Sequence, residues 1–380
     1  MQKIFEVTAI VIGGLLVFFA ITQLPQFFEY HHEYKYDDES LRKKALGLNI
    51  NPIPPHFSDA SKLITFKNGE ISHDEIALGK KLFNETLLSK NNDISCATCH
   101  KLKEGGDDNL PTAIGHENQK NPSHLNTPTV LNSAFATAYF WNARVKTLEE
   151  QAAGPIQAHF EMNMSKEEVL QRLNENPKYV EAFNKVFGNK SNALSFENVQ
   201  KALASYERTL LTRGSIDEFL EGNNMALNEK AKKGFELFLT KGCKGCHAGS
   251  SFGGLSVQKF PLRTWWNEWL NIETKYDGTT ILPQFNLIDR TFPFENVGGF
   301  KGKDDNKLFR VPILRNIHQT SPYFHNGSIK ELKDVVRIMG KYQLGIIFSE
   351  EELEQIVEFL KTLDGQIIQF DNSLNKNINY

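Results

Sequence analysis

At 380 residues the chain exceeds one typical core, so two domains with additions is the natural expectation. A formal net charge of −3 removes the electrostatic case for a nucleic-acid partner, which needs a basic patch or stripe. Forty per cent hydrophobic residues with 26 Gly and 14 Pro describe a globular protein with long loops, and the 28 Phe suit either an ordinary core or one wrapped around large apolar cofactors.

Val7 to Leu24 is almost wholly apolar, broken only by Thr8, Thr22 and Gln23, and Phe27 and Phe28 extend it. A membrane span needs about 20 such residues, so the stretch is adequate for an N-terminal transmembrane helix. A cleaved signal has a shorter apolar core and a small-x-small cleavage site; the best site here ends at Ala20 with Phe18 where a small residue belongs. Residues 1–28 are therefore expected to be a retained anchor rather than a cleaved signal, and the rest of the chain to be exported. Lys3 is the one Lys or Arg before the segment and five acids follow it by Glu39, which favours a cytoplasmic N-terminus. Residues 29–60, turning to Asn51-Pro52-Ile53-Pro54-Pro55, are expected to form a semi-rigid linker.

All four cysteines fall in one repeated pattern: Cys96-Ala97-Thr98-Cys99-His100 and Cys243-Lys244-Gly245-Cys246-His247. Cys-x-x-Cys-His is the attachment motif of a c-type haem. Two thiols three residues apart lie on one face of a helical turn and can add to the two haem vinyl groups, with the adjacent His as proximal iron ligand. A four-cysteine zinc site requires no His after both pairs, and a thioredoxin-like motif expects a βαβ context that the sequence lacks. Two covalent haems are the expected cofactors. Gly79-Lys80-Lys81-Leu82-Phe83 precedes the first motif and Gly234-Phe235-Glu236-Leu237-Phe238 the second, so each haem-binding turn follows a Gly-x-x-Leu-Phe helix. Capping boxes begin at Ser165 and Ser349, the latter opening a helix with Leu353, Ile356, Val357, Leu360 and Leu363 on one face, closed by Gly365. No sustained alternation argues for a sheet. The expected fold is mostly α: two tandem cytochrome c-like domains with long loops, residues 61–212 and 213–380, the C-terminal tail packing back on the first. Met339, downstream of the second motif, is a candidate axial ligand or a core methionine.

From Gly105 to Met162 the chain resembles the bacterial di-haem cytochrome c peroxidases. The landmarks are Gly105-Gly106, Ile114-Gly115-His116, Asn126-Thr127-Pro128-Thr129-Val130-Leu131-Asn132, Phe140-Trp141, Gln151-Ala152-Ala153-Gly154-Pro155-Ile156 and Glu161-Met162. The match continues through Phe309-Arg310, Leu314-Arg315-Asn316, Thr320, Pro322-Tyr323-Phe324-His325, Met339-Gly340 and Gln343-Leu344-Gly345. The resemblance implies reduction of hydrogen peroxide to water with electrons from a small cytochrome c or copper protein; the N-terminal segment is expected to hold the chain at the periplasmic face of the inner membrane, or to leave it soluble in the periplasm if cleaved, and such an anchor is not typical of the family's soluble members. His100 is then the proximal ligand of the peroxide-reacting haem and His116 its removable distal ligand, in a loop that moves after the Gly-Gly-Asp-Asp stretch at 105–108. Glu161 is the acid–base residue, Gln151 its polar partner, and Trp141 lies between the haems. His247 and Met339 ligate the second, high-potential haem, and Asn126 with the carbonyls of Thr320 and Pro322 holds one calcium ion. A homodimer is one option for assembly.

The chain departs from the family's usual Phe-Trp-Asp-Gly-Arg at Asn142-Ala143, and its segment from His247 to Phe309 is long and carries Trp265, Trp266 and Trp269. Two other readings compete with the peroxidase. Di-haem enzymes that mature a tryptophylquinone in a protein substrate place Tyr where this chain has Met339, and Tyr342 is out of register. A non-catalytic electron carrier has no use for Glu161 or His116.

Overall fold

The structure is a computed structural model that describes residues 37–64, 72–188, 192–262 and 292–368, with two further short strands, Glu273–Thr274 and Thr280–Ile281. The apolar segment at 7–24 and the three tryptophans at 265, 266 and 269 lie outside the described residues. Among the described residues no helix is long and apolar enough to cross a membrane. The described residues from 41 onward pack as one unit. The unit 1–40 is described only from residue 37, where the helix Asp38–Leu46 begins.

Helices dominate, and local chemistry starts most of them. Ser72, Ser195 and Asn228 accept hydrogen bonds from the backbone N–H groups of Glu75, Asn198 and Ala231, capping helices His73–Phe83, Phe196–Glu207 and Glu229–Thr240. The expected capping boxes at Ser165 and Ser349 both form. The strands are short and antiparallel, in pairs: Thr212–Gly214 with Gly365–Ile367, Val257–Lys259 with Leu308–Arg310, and Glu273–Thr274 with Thr280–Ile281.

The duplicated helix is visible in the packing. Helix His73–Phe83 crosses helix Phe196–Glu207, and helix Glu229–Thr240 crosses Glu350–Lys361. Each crossing is closed by a glycine. A Cβ on Gly79 would lie 1.8 Å from the Ala202 carbonyl oxygen, and one on Gly234 would lie 1.8 Å from that of Gln355. Tyr206 and Phe359, each four residues further along, complete the two contacts. The glycine of Gly-x-x-Leu-Phe thus allows backbone against backbone, while its Leu82-Phe83 and Phe238 enter the core. Around the second crossing Phe235 stacks on Phe359 at 4.6 Å, with Phe238 and Phe252 beside them. Each such ring contributes about 1.5–3 kcal/mol of burial. In the last helix Phe359 rather than Val357 completes the buried face, and Gly365 opens a strand instead of closing the helix.

Part of the stretch expected to be a semi-rigid linker packs on the body. Ile50 and Ile53 are fully buried, because they are the apolar residues in a run whose prolines hold it extended against the body. Ile53 joins Ala60, Ile64, Leu211 and Ile368 in one cluster. Residues 365–368 therefore pack against both the start of this unit and the end of the first repeat.

A buried ion pair ties these parts together. Arg315 and Asp217 are both wholly inaccessible and meet through paired bonds of 2.7 and 2.9 Å. Asp217 also accepts from the N–H of Ile53 (2.7 Å) and Gly214 (2.8 Å), while Arg315 Nε donates to the Ser250 carbonyl (2.5 Å). Beside it, Thr212 Oγ1 accepts from Asn132 Nδ2 and donates to Asn316 Oδ1. Removing one member of a buried pair leaves the other charged and unpaired, so Arg315→Met should destabilise the folded protein by about 3–5 kcal/mol. Denaturant unfolding of the holoprotein measures this; a loss below about 1 kcal/mol would contradict the role, being the size of a surface pair.

Candidate functional site

The first Cys-x-x-Cys-His forms a single helical turn, Cys96–Cys99, begun by a reciprocal Ser95–Thr98 cap. His100 follows with its N–H on the Cys96 carbonyl, and its Nδ1 lies 3.0 Å from the Gly106 carbonyl. A carbonyl only accepts, so Nδ1 carries the proton and Nε2 keeps its lone pair. His247 repeats the arrangement, with Nδ1 at 3.1 Å from the Phe252 carbonyl. Burial holds both imidazoles below the ordinary histidine range, to about 4 at His247, so each is neutral.

Gly105 and Gly106 stand at φ +96° and +80°, and residues 105–108 are all buried. Thr129 Oγ1 donates to the Gly105 carbonyl, and Thr127 Oγ1 to Asp108. At the start of the loop expected to move, the two glycines let the chain close on Thr129 and Leu131 and aim a carbonyl at His100.

Two cavities open from the two motifs. The first is lined by Cys96, Cys99 and His100 together with Gln151, Glu161, Phe140 and Arg144. The second is lined by Cys243, Cys246, His247 and Met339 among mainly apolar side chains that include Phe238, Phe309 and Phe348. Trp141 lies on the walls of both, with Nε1 donating to the Asn126 carbonyl at 2.8 Å. Asn126, Thr320 and Pro322 share the second wall. Asn126 Nδ2 donates to the Leu110 carbonyl, which leaves Oδ1 as the oxygen that a cation could use. Asn109 Nδ2 takes the carbonyls of Gln319 and Ser321, the alternates of those at 320 and 322.

Burial raises the Glu161 carboxyl above the ordinary carboxylate range, against the opposing charge of Arg144. His116 is brought close without reaching the cavity. Its N–H donates to the Glu161 carbonyl at 2.7 Å, and Gly115 packs so tightly on Phe160 and Glu161 that a Cβ would lie 2.3 Å from a carbonyl oxygen. Glu117, at φ +54°, turns the chain there, and His116 Nε2 lies 3.7 Å from Glu117 while the buried Nδ1 has no partner. At the departure from the family pattern, Ala143 occupies a left-handed position, φ +55°, that glycine would adopt without cost. Asn142 Oδ1 accepts from Arg144, whose guanidinium stacks 3.3 Å from the Phe140 ring centroid.

Three wall residues were not singled out by sequence reasoning. Arg144 and Arg310 sit inside motifs that carry the resemblance. Glu207, at the end of its helix, carried no local signal; it is buried, Oε2 has no partner, and burial pushes its carboxyl up to about 8.

The donor chemistry fits two c-type haems. Burial pushes the thiols up, to about 12 at Cys99 and about 11 at Cys243. Among the described residues no three His, Cys, Asp or Glu side chains come close enough to share a metal ion, so the two pairs do not merge into a zinc site. Comparison with known proteins agrees. Residues 73–225 match the di-haem cytochrome c peroxidase family. The cytochrome c551 peroxidase of Pseudomonas aeruginosa is 38% identical over 332 residues, 86% of this chain and 87% of that one. That of Nitrosomonas europaea is 40% identical over 305 residues, 80% and 83% of the two chains. The chain belongs to the di-haem cytochrome c peroxidase family. The fold agrees with the crystal structure of a MauG-like protein associated with microbial copper homeostasis, at a TM-score of 0.63 and 24% identity over 83% of this chain and 95% of that one. Membership of this family implies two c-type haems, which the two motifs supply.

Glu207 gives the peroxidase a pH signature. Its pKa is raised on folding, so the folded chain holds the proton more tightly than the unfolded chain; the stability it contributes is full below the ordinary carboxylate range and is lost as pH rises through about 8. Asp107, pushed up to about 7, acts in the same direction. Unfolding free energy should therefore fall between about pH 5 and 9, and fall less in Glu207→Gln. Equal slopes in the two proteins would contradict the assignment.

Proposed function

We propose that this di-haem peroxidase reduces hydrogen peroxide to water in the first cavity, with electrons entering singly through the second. When bound, the haems supply one-electron redox chemistry and an iron position open to peroxide. The overall reaction joins hydrogen peroxide, two electrons and two protons into two water molecules. The chain's own part is to hold the cofactors and to handle protons. His100 and His247 present Nε2 to the haem faces, oriented by the carbonyls of Gly106 and Phe252. Glu161, kept neutral more readily than an exposed acid, takes the proton from one peroxide oxygen and delivers it to the departing one. Gln151 orients the peroxide, and Arg144 steadies the Glu161 carboxylate when it forms. Trp141 gives the two cavities a common aromatic wall.

The observation that carries this reading is Glu161, a buried acid whose carboxyl is raised towards its neutral form, in the wall of the cavity that His100 also lines. It separates the enzyme from an electron carrier. Met339 on the second wall favours the peroxidase over the protein-oxidising branch. We read the position of His116, off the cavity wall, as the open arrangement of a removable iron ligand. Calcium at Asn126 Oδ1 and the Thr320 and Pro322 carbonyls suits an all-oxygen set. The donor is a small cytochrome c or copper protein, and the apolar segment at 7–24 anchors the enzyme to the periplasmic face of the inner membrane.

Glu161→Gln should keep the shape of the pocket and both haem spectra while losing peroxide turnover by about 10²–10⁴-fold, the usual contribution of a general acid–base group. Steady-state oxidation of a reduced cytochrome c by peroxide measures it. Turnover within a few-fold of the parent would remove Glu161 from the mechanism.

A further inference from the structure

Among the described residues Arg310 is the one buried arginine whose charge meets no counter-charge. It is 6% exposed, its Nε has no hydrogen-bond partner, and among the described residues no acid pairs with it. The contrast with its neighbours is direct: Arg315 holds Asp217, Arg208 holds Glu149, and Arg213 holds Glu221. Its place is fixed from two sides. Its N–H donates to the Trp141 carbonyl at 2.9 Å, and its strand pairs it with Val257. Burial lowers the guanidinium only to about 10, so it remains a cation at neutral pH. An unpaired buried cation costs several kcal/mol, and packing alone does not explain keeping one.

Both cavities contain this residue in their walls. On the second wall it is the one Lys or Arg, and no Asp or Glu stands with it. On the first, Arg144 is the other arginine, and the acids there, Glu161 and Glu207, are both shifted towards their neutral forms. A c-type haem brings its own anions. The vinyl edge is consumed by the two thiols, and the opposite edge carries two propionates that need a cation once removed from water.

We propose that Arg310 is the shared counter-cation of the two haems, holding a propionate of the second and, across the wall it forms with Trp141, a propionate of the first. The proposal rests on the two-haem reading, deepens it with a cofactor-binding residue, and links the two redox centres electrostatically. A cation beside the propionates offsets their charge and so favours the reduced iron. Taking it away should lower the reduction potential of both haems, more at the second, where no other permanent cation stands on the wall.

The test compares Arg310→Gln and Arg310→Lys with the parent by spectroelectrochemical titration, after a pyridine haemochrome assay has counted the haems. The haem count tests the two-haem reading by itself; a chain with fewer than two fails there, whatever Arg310 does. Given two haems, Arg310→Gln should lower both midpoint potentials, and Arg310→Lys, which keeps the charge, should recover most of the change. Potentials in Arg310→Gln equal to those of the parent would overturn the proposal. If that variant does not accumulate with both haems, Arg310→Lys is read by resonance Raman. The propionate-bending bands of both haems should shift as the guanidinium fork becomes a point charge, and bands identical to the parent would overturn it equally.

Discussion

The two repeats are held in one body by a charge pair that has no access to water. Arg315 and Asp217 can remain buried because every direction is answered: two bonds between them, the N–H groups of Ile53 and Gly214 on the acid, and the Ser250 carbonyl on the base. Those partners come from distant parts of the chain. Ile53 belongs to the extended run before the first repeat, Gly214 to the strand between the repeats, and Ser250 to the turn just after the second haem motif. The run that ends at Arg315 begins at Arg310 and includes Pro312, whose carbonyl oxygen would lie 2.0 Å from a Cβ on Gly253. The same short segment thus fixes the joint, the wall between the cavities, and the turn that orients His247.

A duplicated scaffold then carries two different chemistries. Both repeats use a glycine-closed helix crossing, a Cys-x-x-Cys-His turn and a carbonyl on His Nδ1. What differs is the rest of the cavity lining. In the first cavity it bears Glu161, Gln151 and Arg144, groups that can manage protons. In the second it bears Met339 among apolar side chains, which suits a haem that accepts electrons and takes no part in proton transfer. A peroxide-reducing enzyme needs both walls. The haem iron and the protons must meet in one place, while electrons arrive from another.

What the sequence made legible were features whose physics is local. The haem motifs, the Gly-x-x-Leu-Phe helices and the capping boxes each depend on spacing within a few residues, and each forms as read. The absence of long alternating runs matches the short strand pairs of the described residues. The features that escaped are set by partners far along the chain. Ile50 and Ile53 look like spacer residues until Leu211 and Ile368 cover Ile53. Gly105 and Gly106 are buried because the chain must pass close to Thr129 and Leu131. Glu207 and Arg310 have ordinary neighbours in sequence; only the cavity makes their missing partners visible. Resemblance to a family brought Glu161, Gln151, Trp141 and Met339 onto cavity walls, which periodicity alone had no means to do.

The central claim, that electrons stored at the second haem reach peroxide bound in the first cavity, is open to one direct measurement. The oxidised protein is given one electron per chain, so that only the high-potential haem is reduced, and is mixed with hydrogen peroxide in a stopped-flow spectrometer. The account predicts rapid loss of the reduced-haem absorbance, at a rate proportional to peroxide concentration, the stored electron supplying one of the two that each peroxide needs. A half-reduced protein that keeps its reduced haem in the presence of peroxide would contradict it.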